Sequence, residues 1–248
     1  MKTFLLLLSL LLFGSSLTGP LLADSSDLAP GVERRELGGA TLTYYVDREA
    51  FLNDFPTLDL ETFDEAVFPP DVQFLSRPGP LDSTTNNGVF SPGDITEGLQ
   101  IAAGPFAGRL LLYAPGFIGP TPAVSADFRG DYTQVIFLHE NVFVAGMNLV
   151  SLGGGTHPVE IYGTGGVLLD TPLVDYGDSR IGALFFGVAS DQIITEIRLD
   201  TVFNEAVDDI FFGQPTNVLE VPTLASWALA VLTVLLASAA LALLARRL

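Results

Sequence analysis

The stretch Ile193-Ile194-Thr195-Glu196-Ile197-Arg198-Leu199 alternates. Ile193, Ile197 and Leu199 share one parity; Glu196 and Arg198 hold the other. A repeat of two is that of a β-strand, whose successive side chains point to opposite faces. The stretch therefore reads as a strand with one face in a core and one in water. Phe143, Ala145, Met147 and Leu149 form a second inward set of the same kind. On either side, short runs rich in Val, Ile, Leu and Phe recur between Gly, Pro, Asn and Asp. They predict strands at Thr41–Val46, Leu58–Phe63, Leu99–Ala103, Arg109–Tyr113, Thr133–Leu138, Val142–Leu149, Pro158–Tyr162, Val167–Asp170, Ile181–Val188, Ile193–Leu199 and Val207–Phe212. One short helix is predicted at Arg48–Asp54, with Asp47 as its N-cap. No long segment repeats every 3.6 residues, which excludes an α/β fold with crossover helices. The expected class is all-β, with two antiparallel sheets packed face to face.

Composition removes several functions. The 248 residues hold 29 acidic and 11 basic side chains, a net charge of −18. Phosphate backbones need clustered Lys and Arg, so no nucleic-acid partner is expected. The absence of cysteine excludes disulfides, thiolate zinc sites, iron–sulfur clusters, cysteine nucleophiles and lipid attached to cysteine.

The two ends read as addresses. Lys2 precedes an apolar run from Phe4 to Phe13, followed by small and polar residues. That is the order of a secretory signal peptide, assigned to residues 1–23 with cleavage after Ala23. Residues 224–245 carry no charge and are followed by Arg246 and Arg247. A helix of that length crosses a bilayer, and the arginine pair stays on the cytoplasmic side. Between the ends, residues 24–40 are expected to be a mobile leader, 41–213 the β-sandwich domain and 214–220 a linker. The exported part holds all 29 acids against eight arginines, a formal −21.

Val221-Pro222-Thr223-Leu224-Ala225-Ser226-Trp227, then an apolar helix and Arg246-Arg247, resemble the IPTL-CTERM sorting signal of Gram-negative bacteria. That signal is a relative of the PEP-CTERM signals read by exosortases. Pro222, Thr223, Leu224 and Trp227 match the family pattern in place. Val221 stands where the family has Ile, and Ala225-Ser226 where it has Ser-Glu. The resemblance covers residues 221–248. It implies a transient inner-membrane anchor, processing by an exosortase-type membrane enzyme, and release or attachment at the cell surface. A plain membrane anchor is the rival reading. The order of Leu-Glu-Thr-Phe-Asp at 60–64, Pro-Gly-Asp-Ile at 92–95, Phe-Phe-Gly-Val-Ala-Ser at 185–190 and Val-Asp-Asp-Ile-Phe-Phe at 207–212 resembles the jelly-roll domains of PEP-CTERM-type surface proteins. Those are similar to lectin-like sandwiches.

Catalytic signatures are missing. After His139-Glu140 the third position on is Phe143, so the pair does not begin a zinc-protease helix. No Gly-x-Ser-x-Gly elbow occurs. His139 and His157 are expected at the surface or in loops. Gly153-Gly154-Gly155 and Gly163-Thr164-Gly165-Gly166 lack the lysine of a phosphate loop and read as turns. A glycosidase needs two carboxylates flanking a groove, which abundant acids imitate by chance.

Calcium suits the acidic composition better, being bound through oxygen. In sandwiches that this chain resembles, first and last strands are neighbours and an ion joins their acids. That implies a Ca²⁺ site from Asp59, Glu61, Asp208 and Asp209, with Glu61 and Asp209 preferred. Asp175 with Asp178 and Asp127 with Asp131 are loop alternatives, and solvated acids serving solubility are the simplest account. The expectation is an exported, non-enzymatic cell-surface or matrix protein. Its rival is a calcium-dependent carbohydrate-binding module acting on exopolysaccharide. Tyrosine rings beside acids or amides on an exposed face would favour the rival.

Overall fold

The computed structural model describes residues 31–37, 39–106, 108–150, 155–176, 183–200 and 205–215. Ala23, the motif Val221–Trp227, the segment 224–245 expected to be a helix, and Arg246-Arg247 lie outside them. Among the described residues no helix is long and apolar enough to cross a membrane.

Among the described residues, sixteen strands and one α-helix follow in order: β1 (Val32–Leu37), β2 (Ala40–Tyr45), α1 (Arg48–Asp54), β3 (Asp59–Glu61), β4 (Phe74–Pro78), β5 (Leu81–Asp82), β6 (Leu99–Ala103), β7 (Arg109–Tyr113), β8 (Ala123–Ala126), β9 (Tyr132–Phe137), β10 (Val144–Val150), β11 (Thr156–Gly163), β12 (Val167–Asp170), β13 (Leu173–Asp175), β14 (Leu184–Ser190), β15 (Ile194–Asp200) and β16 (Ala206–Gly213). The first sheet runs β1-β2-β14-β10-β16-β8-β7-β4, with β3 also on β16. The second runs β12-β11-β15-β9-β6-β5, with β13 also on β11. The strand pairs are antiparallel throughout. The class is all-β, as the alternation predicts.

One core lies between the sheets. Leu42, Leu112, Ala145, Met147, Leu149, Val188, Val207, Ile210 and Phe212 enter it from the first sheet. Leu99, Ile101, Val135, Val159, Ile161, Ile197 and Leu199 enter from the second. Two more clusters cover the back of the first sheet. Phe51 of α1 packs there with Tyr45, Val144, Phe185 and Phe211. Ile118 from the loop after β7 packs with Tyr113, Ala123, Val150 and Ala206. The first sheet is thus buried on both faces, and β10 and β16 are almost continuously buried along their length. Among the described residues the second sheet has no such back layer. Its strands keep the alternating buried and half-buried pattern.

Several limits differ from expectation. The helix and its cap fall where predicted, with Asp47 Oδ1 accepting from the Ala50 N–H at 2.9 Å. The leader 24–40 is not wholly outside the fold, because β1 pairs with β2 along its length. Its run of glutamates and arginines disguises it in the sequence; charge on an edge strand deters pairing with other chains. β8, Ala-Val-Ser-Ala, has one branched residue, Val124, and no aromatic, too weak a signal for a strand. Within β15, Tyr162 faces Glu196 but Gly163 faces Ile194, leaving Thr195 as the extra residue of a bulge. The parity changes there, so Ile194 rather than Ile193 joins Ile197 and Leu199 in the core.

Candidate functional site

Uncovered backbone and side chains are what a ligand meets, so the open face of the second sheet is the first place to look. β9 presents Tyr132 and Gln134 there, β11 presents Glu160 and Tyr162, and β15 presents Glu196, Arg198 and Asp200. Register sets Arg198 opposite both Gln134 and Glu160, and Tyr162 opposite Glu196. Arg198 is the hub. Its Cζ stands 4.2 Å from the Tyr162 ring centroid and 4.9 Å from that of Tyr132. Its Nε donates to Glu196 Oε1 at 2.5 Å and its Nη2 to Oε2 at 3.3 Å. The fork holds the guanidinium flat, and the bonds to Glu196 raise the arginine pKa further. Arg198 Nη1 also donates to the Tyr162 hydroxyl at 3.1 Å, and that hydroxyl donates to Glu160 Oε2 at 2.8 Å. Burial, then the bond to Glu160, raises the Tyr162 pKa, so the phenol stays protonated at neutral pH. Gln134 Nε2 donates to Glu196 Oε1 at 2.6 Å. Cation–π contacts and charged hydrogen bonds together fix this row of side chains before any ligand arrives.

At one end of the row is a hollow of about 160 Å³, walled by Asp131, Tyr132, Pro158, Glu160, Arg198 and Asp200. Two turns frame it. The turn after β6 presses Gly104 against Asp131: a Cβ on Gly104 would stand 1.9 Å from Asp131 Oδ1. The turn before β9 is closed by the Asp131 N–H donating to the Phe128 carbonyl at 3.0 Å. Each turn carries an exposed phenylalanine, Phe106 (73%) and Phe128 (54%). Their ring centroids are 6.5 Å apart. A second hollow of about 220 Å³ lies between β2 and β13 and is lined mainly by apolar side chains such as Tyr45, Leu173 and Phe185.

The acids expected to bind calcium lie on the other sheet. β3 does pair with β16, Glu61 facing Ile210 and Asp59 facing Phe212. The carboxylates nevertheless go to separate protein donors. Glu61, fully buried, accepts from the Phe63 N–H at 2.7 Å and the Thr96 N–H at 2.6 Å. It pins the loops after β3 and before β6. Asp208 accepts from the Thr121 hydroxyl and from the Asp209 N–H. Asp209 takes Arg48 Nη1 at 2.7 Å and Asn148 Nδ2 at 2.8 Å, tying the first residue of α1 to the sheet. Asp209 sits at a bulge, with φ +45°. Asp59 is exposed on β3. Among the described residues no group of three or more acidic or histidine side chains is placed to hold a metal ion.

The other candidates separate too. Asp127 bonds Ser76 and lies 3.8 Å from Arg109, away from Asp131 at the hollow. Asp175 is exposed on β13, and Asp178 lies outside the described residues. His139 is exposed as expected, but His157 is buried. It has the inward parity of β11, and its Nε2 is 3.4 Å from Glu205 Oε1. Thr164–Gly166 forms the predicted turn between β11 and β12.

The outward placement of Glu196 and Arg198 was legible from alternation. The meeting of Tyr132, Gln134, Glu160 and Tyr162 around them was not, because it depends on cross-strand register. Comparison of the chain with protein families, with curated proteins and with solved structures finds no match.

Proposed function

We propose that this is an exported, non-enzymatic cell-surface or matrix protein with a jelly-roll-like domain, whose open sheet face binds saccharide. The signal peptide, the IPTL-type tail with its transmembrane helix and the exosortase-type processing enzyme belong to this reading on the strength of the sequence. The single observation that supports binding is the Tyr132–Arg198–Tyr162 row with Glu160, Gln134 and Glu196 beside a hollow. Saccharides are held by planar hydrogen-bonding groups and ring faces arranged in advance, and preorganisation limits the entropy lost on binding. Four of the six tyrosines are buried; the two half-exposed ones both stand in this row.

Two measurements test the reading. A glycan array probed with the full chain, with calcium and with EDTA, should show one glycan class bound and lost in Tyr132→Ala. Silence across the array would leave a structural scaffold instead. Mass spectrometry of the mature protein should show loss of the residues after about Pro222; an intact tail would reject sorting.

A further inference from the structure

We propose that two copies of this chain pair antiparallel, edge to edge, through β1, with Arg34 of each copy facing Glu36 of the other. The inference is independent of the saccharide reading, because β1 lies in the sheet that does not carry the Tyr132–Arg198–Tyr162 row.

β1 ends the first sheet, and among the described residues it pairs only with β2. Its neighbours show which backbone groups face outward. The Val46 N–H donates to the Gly31 carbonyl at 3.0 Å, so Gly31 belongs to a hydrogen-bonded pair. Such pairs alternate along an antiparallel ladder, which turns Glu33, Arg35 and Leu37 toward β2 and Val32, Arg34 and Glu36 away from it. β2 agrees. Thr41 stands opposite Glu36, and both its N–H and its carbonyl bond Asp191 on the far side. The N–H and C=O groups of Val32, Arg34 and Glu36 therefore form an open edge, a template for another strand.

Charge on an edge deters unmatched strands, but the run Glu33-Arg34-Arg35-Glu36 matches itself. In a self-pairing, the outward positions of one copy must face the outward positions of the other. That excludes the register in which Glu33 would meet Glu36 and Arg34 would meet Arg35, like against like. Two of the remaining registers set opposite charges face to face. One centres on Arg34, pairs Glu33 with Arg35 of the second copy and brings the two Arg34 side chains together. The other centres on Arg35 and pairs Arg34 with Glu36 twice over. Charges already in use decide between them. Glu33 accepts from Arg35 Nε at 2.8 Å, and Arg35 also lies 3.8 Å from Asp170. Arg34 and Glu36 are exposed and form no ion pair among the described residues. The second register gives each of them the opposite charge it lacks. It leaves at the axis the arginine whose charge is already balanced. Cross-strand pairs of opposite charge stabilise a ladder, and like charges directly opposite destabilise it.

The edge is only six residues long, far less than a permanent interface needs. Two copies at −18 each also repel at a distance. The pairing is therefore reversible and forms where the chain is concentrated.

The test is sedimentation equilibrium of the full chain in detergent. The parent should show a monomer–dimer equilibrium. Arg34→Glu or Glu36→Arg alone puts like charges opposite at two symmetric positions, and each should weaken the dimer about tenfold or more. Both exchanges together should restore it, and an equal mixture of the two single variants should give a heterodimer. Cysteine trapping fixes the register, since the chain has no cysteine of its own. At the axis the two copies of residue 35 have Cα atoms about 4.5 Å apart, within the roughly 4.4–6.8 Å of a disulfide. Under mild oxidation Arg35→Cys should give a linked dimer several-fold faster than Arg34→Cys, or than Leu173→Cys on β13. The inference is overturned by a chain that stays monomeric and by a dimer indifferent to the charge exchanges, as one held by the C-terminal segment would be. Trapping that favours residue 34 or residue 173 over residue 35 overturns it as well.

Discussion

Gly146 and Gly187 face each other across β10 and β14, and the ring of Phe51 lies on them. A Cβ on Gly187 would stand 2.7 Å from Phe51 Cδ2, and one on Gly146 would stand 2.8 Å from Phe51 Cζ. Both are far inside carbon–carbon contact. Gly187→Ala should therefore overpack the site and cost about 1–3 kcal/mol. It would be read as a lower urea midpoint at an unchanged m-value. Asp208 is the other telling residue. Burial is the largest influence and pushes its pKa up to about 7; the nearby Asp209 and Asp64 raise it, while bonds from Thr121 and the Asp209 N–H lower it. The ordinary value for Asp is 3.8. The folded chain thus holds this proton more tightly than the unfolded one. Its stabilising contribution is full below about 4, declines as pH rises toward 7, and is gone above that. Every tenfold gain in proton affinity on folding is worth about 1.4 kcal/mol. Denaturation at successive pH values should show this decline in the parent and a flatter profile in Asp208→Asn. An unchanged slope would assign the proton elsewhere.

The helix α1 has only seven residues, too few to persist without packing. Three devices hold it: the Asp47 cap, the Arg48–Asp209 ion pair and the Phe51 plug. Asp47→Ala should cost about 1 kcal/mol by freeing the Ala50 N–H. Phe51→Ala should cost about 3–5 kcal/mol, because the ring fills a site the glycine floor cannot collapse into. Equilibrium unfolding of both variants gives the comparison; a Phe51→Ala effect no larger than that of the cap would mean that α1 is not anchored through its ring. The helix and its cap were legible because both depend on neighbours in sequence. The β15 bulge was not, since Thr195 is set aside only by the demands of β11 beside it.

Over the whole molecule, unequal cover of the two sheets explains where binding is possible. The back face of the first sheet is covered by α1 and the loop after β7, whereas among the described residues nothing covers the polar face of the second. The acids on the first sheet serve its loops and helix. Glu61, Asp208 and Asp209 each already accept from protein donors. Calorimetry with calcium and with EDTA is expected to give the same melting temperature. A rise with calcium would restore a metal to the β3–β16 junction, since an ion bound only by the folded state stabilises it.

Strand period, the helix with its cap, the charge and the apolar patterns from which the two terminal addresses are proposed are all written within short windows of residues. Each depends on local spacing, so reading along the chain was enough to expect an all-β fold and an acidic exported domain. The pairing of β3 with β16 was expected from resemblance, and the tertiary structure bears it out. What the carboxylates there bond to, how β9, β11 and β15 bring two tyrosines around Arg198, and which sheet has a back layer among the described residues depend on register and packing between distant segments. A shift of one residue moves a strand's side chains to the opposite face. Local spacing carries no record of that shift, so these features took form only when the strands were set side by side.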